Sequence, residues 1–279
     1  MIRQLPVTTI SEAVQTLLAT SAYQLPHDYL TAMQRAQRQE SSSLGNQIII
    51  MLLDNAAYAQ SEQIPTCQDT GMALLYLDIG QEVHFTGGDL KTVLQEAVRS
   101  AYTNLRKSVV DDPLLRRNTG DNTPAIIHYN LVPGDRVRIT ALMKGFGAEL
   151  MSRLQMFPPS VGVAGVKRFV LETIELAGPN ACPPLIVGVG VGGSFDTVAH
   201  LAKQALLRPI GQSNPQPHLA QLETELLTAS NELGIGPQGF GGQTTALAVH
   251  VEAYATHIAA LPVAVNLNCC APRRATVEI

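Results

Sequence analysis

Leu185-Ile186-Val187-Gly188-Val189-Gly190-Val191-Gly192-Gly193-Ser194 carries the clearest structural signal in the chain. Its first seven residues are all apolar or glycine. The run is too short for a buried helix and is bounded by turn residues, which is the pattern of a buried strand. The glycine pair breaks that strand, and Ser194 opens a helical run that reaches Leu206. A strand delivered straight into a helix is the building unit of an α/β protein. Outward from it, apolar residues recur at helix spacing over residues 11–19, 27–38 and 44–59, so the chain opens on a helical segment. Residues 72–79 read as a strand, and Gly87-Gly88-Asp89 caps a helix predicted over 90–106. Strands are predicted over 125–131 and 137–143, with Pro133-Gly134-Asp135 turning one into the other as a hairpin. Helices at 163–177 and 217–233 and strands at 244–253 and 261–266 complete the pattern. The expectation is a mixed α/β fold with helices packed on sheets. No repeat or linker interrupts residues 1–279, which read as a single domain.

Bulk composition narrows the function. The chain has 279 residues, 46% of them hydrophobic, which is enough for a large core. Charged residues make up only 15% and the net charge is −4, with no basic run. Nucleic-acid binding is therefore not expected, because phosphate neutralisation needs clustered Lys and Arg. The start, Met1-Ile2-Arg3-Gln4-Leu5-Pro6, lacks the apolar core of a signal peptide. The most apolar stretch is too short and glycine-rich to span a membrane. A cytoplasmic protein is the expectation.

The four cysteines do not make a disulfide scaffold in a chain this long, and none forms a C-x-x-C pair. Three of them have unusual neighbours: Thr66-Cys67-Gln68-Asp69-Thr70-Gly71, Asn180-Ala181-Cys182-Pro183-Pro184, and Asn268-Cys269-Cys270-Ala271-Pro272-Arg273-Arg274. All three fall at junctions between predicted elements, where scaffolds present chemistry. Buried free thiols are one reading, since cysteine is among the most buried residue types. Three corners of an iron–sulfur cube are the other, leaving one iron open as a Lewis acid.

Gly188-Val189-Gly190-Val191-Gly192-Gly193 also matches the dinucleotide fingerprint G-x-G-x-x-G. The acidic ribose partner expected about 20 residues on is missing around Ser213. The glycines then serve either a tight strand-to-helix turn or an anionic group near a helix N-terminus.

These peptides together resemble the class I, iron–sulfur fumarate hydratase and L-tartrate dehydratase family, in its alpha-type part. The resemblance runs through Cys67-Gln68-Asp69-Thr70-Gly71, Asn118-Thr119-Gly120-Asp121-Asn122, Ala181-Cys182-Pro183-Pro184 and residues 188–193. It continues in Leu207-Arg208-Pro209-Ile210-Gly211, in Gly234-Ile235-Gly236-Pro237-Gln238-Gly239, and in the closing Cys-x-Ala-x-Arg-Arg. Lys144-Gly145-Phe146-Gly147-Ala148-Glu149-Leu150-Met151-Ser152 is similar to the pattern of two-subunit fumarases, from which Phe146 and Leu150 depart. Tartrate dehydratase chains tend to lack that lysine.

The resemblance implies a [4Fe–4S] cluster on Cys67, Cys182 and Cys269, with Cys270 a bystander. It implies substrate contacts from Gln68, Arg106, Lys144, Gly147 and His257, and it makes Asp69 a catalytic acid. Each residue also has a plain reading: Asp69 as a turn residue, Arg106 as a cation ending a helix, His257 as an ordinary loop histidine. Of Arg273 and Arg274, one is expected near the cluster or a partner chain. The implied reaction is reversible hydration of fumarate to L-malate. The alternatives are the same chemistry on tartrate or another 2-hydroxy dicarboxylate, and a non-catalytic protein that binds or senses through a cluster. Single-chain relatives carry a second domain after this region. The resemblance therefore implies a separate beta subunit with the catalytic base, in an α2β2 assembly.

Overall fold

The computed structural model describes residues 2–279. In chain order it begins with β1 (Arg3–Pro6), α1 (Val7–Tyr23), α2 (His27–Gln39) and α3 (Ser43–Glu62). Next come β2 (Met72–Gly80), β3 (Val83–Thr86), α4 (Leu90–Ala101), β4 (Ile126–Val132) and β5 (Val137–Lys144). α5 (Phe146–Glu149), β6 (Arg153–Phe157), α6 (Gly162–Ala177), β7 (Leu185–Gly192) and α7 (Phe195–Ala205) follow. α8 (Pro217–Glu232), β8 (Ala246–Tyr254), β9 (Leu261–Asn268) and β10 (Arg273–Glu278) close the chain. The mixed α/β expectation and the helical opening both hold. No helix among the described residues is long and apolar enough to cross a membrane.

Contacts divide the chain into two compact units. The first comprises residues up to Pro26, Ala56–Gly145 and Pro272–Ile279. Its main sheet has the order β10-β5-β2-β4, and β1 pairs with β3 in a small parallel ribbon. Alternate residues of β5 (Val137, Ile139, Ala141, Met143) and of β2 (Ala73, Leu75, Leu77) enter one core, as the period of two requires. Onto it α1 lays Ile10, Val14, Leu17 and Leu18, and α4 lays Leu94, Ala97 and Val98. This is the i, i+3, i+4, i+7 stripe of an amphipathic helix. Asp89 caps α4 as predicted, its Oδ1 accepting from Thr92 N at 2.8 Å.

The predicted hairpin between β4 and β5 does not form. β2 lies between them, parallel to β4 and antiparallel to β5. The Pro133-Gly134-Asp135 turn therefore wraps the end of β2 across two strand spacings, roughly 10 Å. Gly80 N donates to Arg136 O at 2.8 Å, and Glu82 N donates to Gly134 O at 3.0 Å. Gly80 has to be glycine here, because a Cβ would stand 2.3 Å from Gly134 O. The helix predicted to reach residue 106 stops at Ala101, so Arg106 lies in the loop beyond it. Strands β1, β3, β6 and β10 were not foreseen. All are short, at four to six residues, which leaves a period of two too little room to stand out.

The second unit comprises His27–Asn55 and Phe146–Ala271. Its sheet has the order β6-β9-β7-β8, with β7 parallel to β8 and antiparallel to β9. The 185–194 stretch shows its logic here. Leu185, Val187 and Val189 point into a core shared with α6 and α8. Gly188 and Gly190 take the other face, under α7. A Cβ there would stand 2.1 Å from Ala202 O and 2.2 Å from Val198 O. The G-x-G-x-x-G match is thus close helix-on-strand packing. Glu40 fastens the glycine loop before β8 to the corner between α2 and α3. Its carboxylate accepts from Ser42 N, Gln243 N, Thr244 N and Thr244 Oγ1.

Candidate active site

Cys67, Gln68 and Asp69 occupy a turn of the first unit between α3 and β2. Asp69 Oδ1 accepts from Gly71 N at 2.9 Å, which makes it an Asx-turn residue as well as a site candidate. Its main-chain oxygen accepts from Nη1 of Arg273, a guanidinium only 1% exposed. The missing side chain of Gly145 makes this possible. A Cβ at Gly145 would lie 3.2 Å from both Arg273 Nη2 and Asp69 Oδ2. Lys144, at the end of β5, is wholly buried, and its Nζ donates to Gly145 O at 3.0 Å. Arg106 is exposed, with its main-chain oxygen held by Thr70 Oγ1 at 2.6 Å. This unit thus assembles Gln68, Asp69, Lys144 and the Arg106 segment around one turn, with Arg273 added. Burial pushes the ionisation of the nearby Tyr102 hydroxyl up.

In the second unit the loops of Cys182 and Cys269-Cys270 meet. Cys270 N donates to Cys182 O at 3.0 Å. Cys182 is exposed and left-handed, with φ +54°. Tyr29 OH donates to Cys270 O at 2.5 Å, and burial followed by the nearby Cys270 and Cys269 pushes its ionisation well up. Gln238 Nε2 donates to Pro183 O at 2.6 Å and to Cys270 Sγ at 3.2 Å. Gly147, on α5, is exposed and faces Asn180, two residues before Cys182; a Cβ there would lie 3.6 Å from Asn180 O.

His257 is not brought to these loops. It is exposed in the connection between β8 and β9. β9 consumes most of the spacing to Cys269, which puts roughly 24 Å of strand between them. Tyr29 and Tyr102 gave no local signal in the sequence, because their partners are distant along the chain. Gln238 and Asn122 sit inside motifs that do stand out.

Among the described residues no group of three His, Cys, Asp or Glu stands close enough to hold a metal ion, yet within each unit the surroundings of the thiols suit anionic sulfur. All four thiols are free of disulfides. Asn268 Nδ2, next to Cys269, is a buried donor with no acceptor, and so is Arg273 Nε beside the turn that follows Cys67. Buried donors left without acceptors are costly, and anionic sulfur supplies acceptors.

Comparison with known proteins identifies the family. A family model described as Fumarate hydratase (Fumerase) matches residues 11–278. The putative L(+)-tartrate dehydratase subunit alpha of Methanocaldococcus jannaschii is 40% identical over 279 residues, covering 97% of each chain. The chain belongs to the class I fumarate hydratase and L(+)-tartrate dehydratase alpha-subunit family. The L(+)-tartrate dehydratase subunit alpha of Escherichia coli K12 is 36% identical over 283 residues, covering 99% of this chain and 93% of that one. The Shigella sonnei protein of the same name matches equally. The protein is thus an alpha-type subunit of a class I hydro-lyase, in a family that uses a [4Fe–4S] cluster.

Proposed function

We propose that this chain is the alpha subunit of an L(+)-tartrate dehydratase, which eliminates water from a 2-hydroxy dicarboxylate. The observation that carries this reading is the set of relatives named for tartrate, which are 36–40% identical over at least 97% of the chain. Fumarate hydration, the expectation drawn from the Lys144 motif, becomes the second reading.

Cys67, Cys182 and Cys269 are the residues that would hold the cluster. When bound, the cluster supplies Lewis-acid assistance to departure of the hydroxyl. The chain's own residues do the rest. Gln68, Arg106 and Lys144 bind and orient the carboxylates, and Gly147 offers main chain for a close approach. Asp69 delivers a proton to the departing hydroxyl as general acid. Its turn keeps the carboxylate pointed by the bond from Gly71 N. His257 is left out of the site of its own chain.

The base that removes the proton beside the second carboxylate belongs to a partner. The relatives' names, subunit alpha, support a beta subunit; the reading adds that it completes the site in an α2β2 assembly.

Malate and tartrate differ by one hydroxyl, so a site that hydrogen-bonds that group discriminates strongly. The test is kcat/KM for L(+)-tartrate, L-malate, fumarate and mesaconate with both subunits present. Tartrate is expected to lead by at least about tenfold. A lead of that size for fumarate or malate restores the fumarase reading.

A further inference from the structure

Asn118-Thr119-Gly120-Asp121-Asn122 has no part in the proposed chemistry, yet its last residue is wholly buried. Asn122 stands at φ +65°, in the left-handed region that asparagine tolerates better than most residues. Its side chain bonds in two directions. Oδ1 accepts from Ser108 N at 2.7 Å and from Val109 N at 3.2 Å. Nδ2 donates to Gly71 O at 3.1 Å. Asn122 therefore joins the turn that carries Gln68 and Asp69 to the segment that carries Arg106. Thr70, 2% exposed, makes a second bridge through its hydroxyl to Arg106 O.

Three consecutive carbonyls of that turn each end on a buried side chain. Asp69 O is held by Arg273, Thr70 O by Tyr102 OH at 3.1 Å, and Gly71 O by Asn122. None of this is needed to close the turn, which Asp69 does by itself through Gly71 N. Nor is Asn122 needed to shape its own loop. Asn118 Oδ1 accepts from Gly120 N, and Asp121 Oδ1 accepts from Thr123 N. What Asn122 and Thr70 add is a fixed spacing between two segments.

We propose that Asn122, with Thr70, is a positioning residue that sets the distance between the Gln68–Asp69 turn and Arg106. It thereby sets how well the two grip one dicarboxylate. The inference rests on the reading of Gln68 and Arg106 as substrate contacts. Small misplacements of binding groups cost one to two orders of magnitude, so the effect is measurable.

The experiment uses the cluster-loaded enzyme assembled with its beta subunit. Asn122→Gly deletes the amide and still suits the positive φ. Asn122→Asp keeps the acceptor for Ser108 and Val109 and loses the donor to Gly71. Thr70→Val removes the hydroxyl at constant shape, and Thr70→Ser keeps it. KM for the preferred substrate and Ki for non-reacting succinate are expected to rise about tenfold in Asn122→Gly, Asn122→Asp and Thr70→Val. The EPR signal of the reduced cluster is expected to persist, and Thr70→Ser to stay within about twofold of wild type. Wild-type KM and Ki in Asn122→Gly and Thr70→Val overturn the proposal, as does equal loss in Thr70→Ser and Thr70→Val. Should the Asn122 variants fail to fold, the Thr70 pair decides. Arg106→Lys separates the two levels. Unchanged KM there overturns the substrate-site reading and the positioning role with it. Raised KM there, with normal Asn122 and Thr70 variants, overturns the positioning role alone.

Discussion

At the scale of single residues, Glu40 makes the sharpest physical case. It is 8% exposed and accepts from three main-chain N–H groups and one hydroxyl. Burial by itself would raise its pKa, but those hydrogen bonds outweigh it and hold the carboxyl below the usual glutamate range. A folded pKa below the unfolded one means stabilisation that is present above the unfolded value and lost as pH falls through the folded one. Glu40→Gln is therefore expected to cost roughly 2 kcal/mol at neutral pH. That gap should close as pH drops below about 4. Urea unfolding of both proteins across pH 3–7 reads this directly; a gap that stays constant rejects the assignment. Residue-level features are legible in sequence only when the partner is close. Asp89 caps α4 as its neighbours predict, because Thr92 is three residues away. Tyr29 gives no such warning, with its partner 241 residues away, and the motif that marks Asn122 does not name Gly71, 51 residues away, as its partner.

At the scale of elements, β7 shows how one strand serves two faces. Its leucine and valines fill a core while Gly188 and Gly190 admit α7. Gly190→Ala forces a methyl against Val198 O, a main-chain atom that cannot swing aside. A loss of about 2–3 kcal/mol is expected, measured by denaturant unfolding, together with no NAD binding in either wild type or variant. A stable Gly190→Ala protein, or saturable NAD binding by the wild type, would return the glycines to a nucleotide site. Strand existence was readable from apolar runs, but strand neighbours were not. β4 and β5 are joined by a good turn and look like a hairpin, yet β2 from over 40 residues earlier separates them. β10 pairs with β5 across 130 to 140 residues. Such pairing depends on what both faces of a strand can bury at once, which no local window holds. His257 is kept from the Cys269 loop by an element as well, since β9 runs between them.

At the scale of the whole molecule, the question is what this chain does without a partner. The first unit gathers Gln68, Asp69, Lys144 and Arg106 around the Cys67 turn. The second gathers Cys182, Cys269 and Gly147. Reconstituted anaerobically with iron and sulfide, the isolated alpha chain is expected to show cluster absorbance and, at most, about 1% of the turnover of the α/β assembly. That estimate follows from the factor of at least 10² that a general base contributes. Full activity from the alpha chain alone overturns the partner proposal. Most of the helices, the cap of α4, the motif order and hence the family follow from the sequence alone, because each is written in residues close together along the chain. Only the tertiary structure decided the order of strands, the burial of Asn122, Lys144 and Arg273, the use of the β7 glycines and the exile of His257. Those depend on contacts between segments far apart in sequence, where many weak local preferences are settled together by the packing of a shared core.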